Sequence, residues 1–127
     1  MTNDYIQAFI TTSQLTPDEQ LLEWKEFIED IKYGYNDTVI ELRNDLDIER
    51  GSLQDLIDNT LLANNPSHNI FIEEVNKLDE ILKDLVYIDE TSDSSTWWGK
   101  IILKDAREIY YASALEFHKG YKINLIK

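Results

Sequence analysis

The feature that most constrains how this chain folds is the spacing of its apolar residues, which recur every three or four positions through much of the sequence. The clearest example lies over about residues 69–87, where the steps are four, three, four and three, so that the apolar residues share one face of an α-helix. They are Phe71, Val75, Leu78, Leu82 and Leu85, supplemented by Ile81 and Ile88. The other face is charged, with Glu73, Glu74, Lys77, Asp79, Glu80, Lys83 and Asp84. This segment is therefore predicted to be an amphipathic helix.

A helix start signal is found at residue 16. Thr16 is followed by Pro17 and by Glu19, which is the arrangement of a capping box with proline at the first helical position. Gly34 is suited to end that helix. Its apolar stripe consists of Leu21, Trp24, Phe27, Ile28 and Ile31. A shorter helix over residues 4–12 is predicted from the spacing of Tyr5, Ile6, Phe9 and Ile10.

The middle of the chain is predicted to contain two helices separated at Gly51. Asn36 or Asp37 is the expected cap of the first, whose apolar residues are Val39, Leu42 and Leu46. Gly51 is expected to break this helix, because glycine has a low helix propensity, and Ser52 with Asp55 is expected to open the next. The residues expected to be buried there are Leu53, Leu56, Ile57 and Leu61. The sequence Asn64-Asn65-Pro66 then indicates a loop.

The last third of the chain is ambiguous. Residues 89–95 are small and polar, which indicates a loop. One helical stripe running from Ser95 or Thr96 to Gly120 is favoured over a strand at residues 97–103, although two tryptophans and three aliphatic residues there would also suit a strand. The stripe comprises Trp98, Ile102, Ala106, Ile109, Ser113 and Phe117. The tail, residues 121–127, alternates apolar and polar side chains and suits a short extended segment.

These patterns predict an all-α fold, a compact bundle of five to six helices with a short C-terminal extended segment, in a single domain spanning residues 1–127. The chain has no cysteine, which fits a reducing compartment. Its first residues lack the basic and apolar regions of a signal peptide. The longest aliphatic run, Ile101-Ile102-Leu103, is far shorter than the roughly 20 residues of a membrane span. We therefore expect a cytoplasmic protein that makes no membrane contact.

The net charge of −13 is unevenly distributed along the chain. Residues 1–95 hold 22 acidic and 6 basic side chains, whereas residues 96–127 hold 3 acidic and 6 basic ones. The loop at 89–95 thus separates an acidic segment, 1–88, from a basic and aromatic one, 96–127. The negative electrostatic potential of the acidic segment is expected to repel nucleic acid phosphates and to attract cationic partners.

Enzyme and cofactor signatures are lacking. Serine catalysis requires a base, and the two histidines have structural roles that are more common. His68 is expected to face solvent or assist a cap, and His118 is expected to be an imidazolium at a helix C-terminus. The segment starting at Asp45 begins like a calcium loop but has Arg50 at the sixth position, where glycine is needed, and Leu56 at the twelfth. We predict no catalytic residues, no metal site and no cofactor.

The basic C-terminal segment is the only candidate for direct nucleic-acid contact. Lys100, Lys104 and Arg107 share a helical spacing, and Trp97, Tyr110 and Tyr111 lie nearby in sequence. Because the rest of the chain is strongly acidic, we instead expect these cations to pair with the protein's own acidic helices. No direct binding to nucleic acid is predicted.

Two acidic clusters are predicted to contact a partner. The first is the polar face of the second helix, and the second surrounds Gly51. Tyr33 and Tyr35, beside Gly34, are the aromatic residues predicted to anchor the contact, because tyrosine often dominates interface energy. The predicted acidic partner-binding residues are Glu23, Glu26, Asp30, Glu41, Asp45, Asp47 and Glu49, and Glu29 also belongs to the first cluster.

A small, acidic, cysteine-free helical chain is similar in general character to bacterial immunity proteins and to phage-encoded inhibitors; the likeness is one of composition and size. It implies a protein-binding inhibitor that neutralises a positively charged toxin or nuclease by covering it with an acidic face, with mimicry of double-stranded DNA as a variant. The alternative is a non-catalytic structural or adaptor subunit whose acidity serves solubility and whose aromatic C-terminal region forms an oligomer contact. The sequence leaves the oligomeric state open.

Overall fold

Six α-helices make up most of the chain, whose 127 residues are all described by a computed structural model. The predicted compact, mostly helical bundle is confirmed. The helices are α1 (Asn3–Ser13), α2 (Pro17–Gly34), α3 (Val39–Ile57), α4 (Thr60–Ala63), α5 (Ser67–Lys83) and α6 (Glu108–Phe117). The second helix packs against both α3 and α5, and α3 also contacts α5 and α6.

Four short strands complete the fold as two separate pairs. These are β1 (Val86–Ile88), β2 (Ile101–Leu103), β3 (Asp105–Ala106) and β4 (Asn124–Leu125). The first two are antiparallel, with Val86 opposite Leu103 and Ile88 opposite Ile101. The last two are parallel, with Asp105 opposite Asn124. The predicted C-terminal extended segment is therefore confirmed.

The helix favoured from residue 96 onward is wrong over its first half. Residues Trp97–Lys100 form one 3-10 turn, capped by Thr96, and the strand β2 follows it. Three consecutive side chains, those of Ile101, Ile102 and Leu103, are all buried. One face of a helix cannot bury three successive residues, whereas a strand covered on both sides can. The helix α6 begins only at Glu108, and on it Ile109 and Phe117 are exposed rather than buried.

Local capping signals fix the ends of the first helices. The predicted capping box is present: the Glu19 amide donates to the Thr16 hydroxyl (3.1 Å), and the Thr16 amide donates to the Glu19 carboxylate (3.0 Å). Gly34 ends α2 with a φ of +124°, and a Cβ added there would meet the Arg107 side chain at 2.7 Å. The cap of α3 is Thr38, next to the predicted Asp37.

The third helix continues through Gly51, so the predicted break there is wrong. Gly51 has ordinary helical geometry, and Ser52 does not cap a new helix but donates its hydroxyl to the Ile48 carbonyl one turn earlier (2.5 Å). The helix continues because its buried stripe is unbroken, with Arg50 lying between Leu46 and Leu53 in that stripe. Leu61, expected to be buried on a fourth helix, is instead exposed on the short α4.

A buried ion pair joins three helices at the centre of the bundle. Arg50 of α3 donates from Nε and Nη2 to the two carboxylate oxygens of Asp79 on α5 (3.0 and 2.9 Å). Trp24 of α2 donates its indole N–H to the same carboxylate (3.1 Å), and the Arg50 guanidinium lies 4.7 Å from the centre of the Trp98 ring. Asp79 is therefore a core residue. The sequence pattern had placed it on the solvated face of α5, and that prediction is wrong. Ile81, expected in the buried stripe, is exposed.

Asp79→Ala is expected to lower the free energy of unfolding by about 3–5 kcal/mol, because it leaves the Arg50 charge buried without its partner. Chemical denaturation followed by circular dichroism measures the change. The matched control is Glu74→Ala, which removes an exposed ion pair with Lys77 (2.9 Å) and is expected to have almost no effect, since surface pairs contribute little. Equal losses from the two variants would contradict a structural role for the buried pair.

Gly51→Ala is expected to raise the free energy of unfolding by about 0.5–1 kcal/mol, because alanine favours the helix and the added Cβ meets nothing within 4 Å. The same change at Gly34 is expected to destabilise the protein, since its φ is positive and Arg107 occupies the space. Urea unfolding of the two variants measures whether each change raises or lowers the free energy of unfolding. A destabilised Gly51→Ala variant would show that α3 is not regular at this position.

Candidate functional site

A shallow depression on the surface brings together acidic side chains from α2 and α3. These two helices are joined by only four residues, 35–38, and pack side by side. The depression, called the acidic groove below, is lined by Glu23, Glu26, Phe27, Asp30 and Glu49. The first acidic cluster predicted from the sequence and part of the second therefore form one surface.

Helix geometry explains which side chains reach the groove. Glu23, Phe27 and Asp30 are three or four residues apart on α2, so they form one row facing α3. On α3, Asp45 and Glu49 are four residues apart and form the facing row. Of the groove residues on α2, the three acids are exposed and Phe27 is half-buried, whereas Asp45 and Glu49 on α3 are half-buried. The groove thus has a partly buried acidic wall on α3 and an exposed one on α2.

The carboxylates of the groove repel one another. The pKa of Glu49 is raised above its ordinary value, first by burial and then by the negative charges of Glu23 and Asp45. No cation compensates them, because the three ion pairs of the protein lie elsewhere: Arg50 with Asp79, Lys77 with Glu74, and Lys83 with Glu80. A positive charge placed in the groove would relieve this repulsion.

The expectation that the C-terminal cations neutralise the acidic helices is wrong. Lys100, Lys104 and Arg107 form no ion pair with a carboxylate. Lys104 donates to the backbone carbonyl of Asp84 (3.4 Å), and Arg107 donates to that of Tyr33 (3.1 Å). Lys104 also lies over the Tyr87 ring, 5.5 Å from its centre. The acidic surface of α2 and α3 is left uncompensated.

The two predicted aromatic anchors differ in their surroundings. Tyr35 is half-buried, packs edge-on against Tyr110, and donates its hydroxyl to the Asp45 carboxylate (3.0 Å). Burial, followed by that hydrogen bond and the charges around it, raises the pKa of Tyr35. It therefore positions Asp45 and supports the loop. Tyr33 has 72% of its surface exposed and is free to contact a partner.

The remaining predicted residues divide between two sides of α3. Glu41 is exposed one turn before Asp45 and extends the acidic row toward the start of the helix. Asp47 is also exposed, but it is two positions from both Asp45 and Glu49, about 200° around the helix. The structure thus groups Glu41 with the groove and leaves Asp47 on the other flank.

Sequence reasoning missed two parts of this surface. Phe27 packs against the core, as its place in the apolar stripe predicted, but it also lines the groove. Asp55, assigned to the start of a separate helix, lies on α3 in a second depression that shares Glu23 with the groove. Treating residues 39–57 as one helix would have placed Asp55 on the same helix as Asp45, ten positions later and about 80° around it.

His68 is buried, and its expected place in solvent or at a cap is wrong. Its Nδ1 lies 2.7 Å from the Tyr5 hydroxyl, and its Nε2 lies 2.8 Å from the Ile57 carbonyl. Because a carbonyl only accepts, Nε2 carries the proton and donates, and Nδ1 accepts from Tyr5. Burial raises the pKa of Tyr5 to about 12, so the phenol stays protonated and keeps this hydrogen bond. Tyr5 and His68 are therefore buried, hydrogen-bonded residues that stabilise the core.

His118 is not the predicted imidazolium. It caps the end of α6 with only 5% of its surface exposed, and its Nε2 has no hydrogen-bond partner. Burial lowers its pKa below the usual 6.5; the positive charge of Arg43 lowers it further, and Asp89 partly opposes both. The neutral ring is therefore favoured, because the dipole of a helix end does not offset the loss of solvation.

The lowered pKa of His118 makes the protein less stable in acid. The unfolded chain binds a proton near pH 6.5 and the folded chain only at lower pH. The stability contributed by the neutral ring is therefore present above about pH 6.5 and is lost as the pH falls from there through the lower pKa of the folded protein. Urea unfolding between about pH 5 and pH 8 measures how the free energy of unfolding changes with pH. His118→Asn is expected to reduce the change in the free energy of unfolding below about pH 6.5. An unchanged pH dependence would contradict the lowered pKa of His118.

No three histidine, aspartate or glutamate side chains are grouped so that they could hold a metal ion. None of the helices combines the length and the apolar character that crossing a membrane requires. Compared with protein-family models, with curated proteins and with solved structures, the chain shows no significant match.

Proposed function

We propose that this protein is an immunity-type inhibitor that binds a positively charged toxin or nuclease through its acidic groove and covers the partner's cationic surface. The observation that carries this proposal is the meeting of five carboxylates from two helices with no cation of the protein among them. They are Glu23, Glu26, Asp30, Asp45 and Glu49. A lysine- or arginine-rich surface that normally holds phosphates offers the matching charge.

The shape of the groove favours a protein partner over a small molecule. Small-molecule sites are concave and mostly apolar, with a few polar groups inside. The acidic groove is open, and Phe27 is the single apolar residue that lines it. The exposed Tyr33 lies on the same side of α2, seven residues and two turns after Glu26. Tyrosine beside charged residues is typical of the anchoring contacts in protein interfaces.

Rigid support for the groove suits an inhibitor that must bind tightly. The carboxylates stand on two helices, and the core contact of Trp24 and Arg50 with Asp79 ties those helices to α5. Asp45 is further held by the Tyr35 hydroxyl. A surface that is already ordered loses little conformational freedom on binding, which favours affinity. Negative potential at the groove would also steer a cationic partner and speed association.

A second candidate function is that of a structural or adaptor subunit that self-associates through its C-terminal region. The observation that favours it is a set of exposed apolar side chains on α6 and β4, namely Ile109, Leu115, Phe117 and Leu125. Sedimentation analysis tests this function: a dimer that Phe117→Ser with Leu125→Ser dissociates would support it. A monomer at high protein concentration would exclude it.

The groove is tested by removing charge without changing shape. The groove variant carries Glu23→Gln, Glu26→Gln and Asp30→Asn, which leaves the half-buried Asp45 and Glu49 in place. The control variant carries Glu73→Gln, Glu90→Gln and Asp93→Asn, three exposed acids far from the groove. The wild-type protein, immobilised, is used to capture partners from extract of the source cells, and each captured cationic protein is then titrated with all three forms.

The groove variant is expected to bind about ten-fold or more weakly than the wild type, and the control variant about as well as the wild type. Binding by the wild type is expected to weaken steeply as salt rises. One equivalent of wild-type protein is expected to abolish the partner's own toxic or nuclease activity. Equal affinities for the two variants, or binding without inhibition, would overturn the proposed function.

A further inference from the structure

A second depression continues the acidic groove at the place where α1, α2 and α3 meet. Its volume is about 450 Å³, and it shares Glu23 with the groove. On α2, Gln20 precedes Glu23 by three residues, and on α3, Ser52 follows Glu49 by three, so the same two helix rows line both depressions. The end of α1 closes the third side with Thr12. The groove and the second depression therefore form one continuous surface between α2 and α3.

Gln20 is a buried polar residue to which the fold gives no side-chain partner. Only 8% of its surface is exposed, and it lines the second depression. Its backbone N–H donates to the Thr16 carbonyl (3.0 Å), but its side-chain amide makes no hydrogen bond with the protein. A polar group so far withdrawn from water is usually hydrogen-bonded, because leaving it unsatisfied costs free energy. The amide of Gln20 is therefore free to bond with a group that enters the depression.

The hydroxyl and carboxylate groups of the second depression present hydrogen-bond acceptors. The hydroxyls of Thr12 and Ser52 each donate to a backbone carbonyl one turn earlier in their own helix (3.0 and 2.5 Å). Since a hydroxyl has a single proton, only oxygen lone pairs remain available to a ligand. The carboxylates of Glu23 and Asp55 add acceptors that carry negative charge, and no lysine or arginine lines the depression. A ligand that fits these groups is positively charged and donates several hydrogen bonds.

We propose that the second depression binds the guanidinium group of an arginine side chain belonging to the cationic partner. The inference rests on the proposed function and names the group that is recognised beside the groove. A guanidinium is planar and always charged, and it has five N–H donors and no acceptor. Its charge is met by Glu23 and Asp55, and one of its donors reaches the Gln20 amide oxygen. The aliphatic stem of the arginine covers Leu15 and Leu56, the two apolar residues of the lining.

The chemistry of the lining selects arginine over other ligands. An anion would be repelled by the two carboxylates, and no group of three histidine, aspartate or glutamate side chains is present to hold a metal ion. The ammonium of lysine is a compact, strongly hydrated charge, so it gains less from acceptors spread around a depression. Continuity with the groove favours an arginine of the partner over a free guanidinium compound. A protein that covers the groove lies over Glu23, which both depressions share.

The first test uses N-acetyl-arginine amide and N-acetyl-lysine amide, which carry the same single charge on different groups. Each compound is titrated at low salt into isotope-labelled protein, and the side-chain amide resonances of Gln20 are followed by NMR. The arginine compound is expected to shift these resonances to saturation and to bind about ten-fold more tightly than the lysine compound. The exposed Gln7 amide on α1 is expected to stay unchanged. Equal binding of the two compounds, or no shift at Gln20, would show that the depression is not an arginine site.

Matched variants locate the contact outside the groove. Gln20→Met removes the amide but keeps an unbranched side chain, and Asp55→Asn removes one charge; neither residue lines the groove. Each is expected to weaken binding of the arginine compound about five-fold or more. The controls, Gln7→Met on α1 and Asp47→Asn on α3, make the same chemical changes at exposed positions away from the depression, and binding is expected to stay the same. Circular dichroism checks that all four variants keep the fold. Equal losses from the variants and their controls would contradict the site.

Binding of the captured partner separates this inference from the proposed function. Gln20→Met and Asp55→Asn are expected to weaken that binding about ten-fold, since each removes a hydrogen-bonded contact to a charged group. If the groove variant loses the partner but these two variants bind it normally, the partner inserts no arginine here, and the inhibitor proposal stands. If the groove variant binds every captured partner as well as the control variant does, the inhibitor proposal is wrong. The partner's arginine is then ruled out with it, and any binding of the arginine compound belongs to a free guanidinium ligand.

Discussion

The bidentate contact between Arg50 and Asp79 determines how α2, α3 and α5 are arranged. Removing two charges from water is costly, and the cost is offset only when geometry is good and the remaining polar atoms are satisfied. Here both carboxylate oxygens accept from Arg50, Trp24 donates to one of them, and Trp98 covers the guanidinium. Apolar contacts alone tolerate sliding, whereas this network has one geometry. The spacing of the helices that carry the acidic groove therefore depends on a side chain that the groove never exposes.

The parts of the fold that were predictable from sequence are those set by neighbours along the chain. The capping box at Thr16 and Glu19 and the end of α2 at Gly34 depend on residues within one turn, and they are present as predicted. Gly51 indicated a break because glycine has a low helix propensity. The reason that the helix continues is Asp79, 29 residues away. An interaction between residues that far apart in the chain leaves no pattern in the local sequence.

The candidate site shows the same division between local and distant causes. Charge along the chain was sufficient to select Glu23, Asp30 and Glu49, because their clustering on α2 and α3 follows from helical spacing and adjacency. The sequence did not show which of the predicted side chains are exposed and free to contact a partner. Tyr33 and Tyr35 look equivalent in the sequence, but one is exposed and the other is held by Asp45 and Tyr110. Such differences arise from contacts with elements that fold from other parts of the chain.

None of the three ion pairs of the protein involves a carboxylate of the acidic groove. Arg50 is buried with Asp79, Lys83 lies over the Trp97 ring, and Arg107 donates to the Tyr33 carbonyl, so each is held by a structural contact. The carboxylates of the groove stand on two packed helices, and the pKa of Glu49 is raised first by burial and then by the charges of Glu23 and Asp45. A positive charge brought to this surface from outside would relieve the repulsion among the carboxylates. The partner that we propose, bearing lysine and arginine, would supply such a charge, and its binding would then stabilise the protein as well as cover the partner.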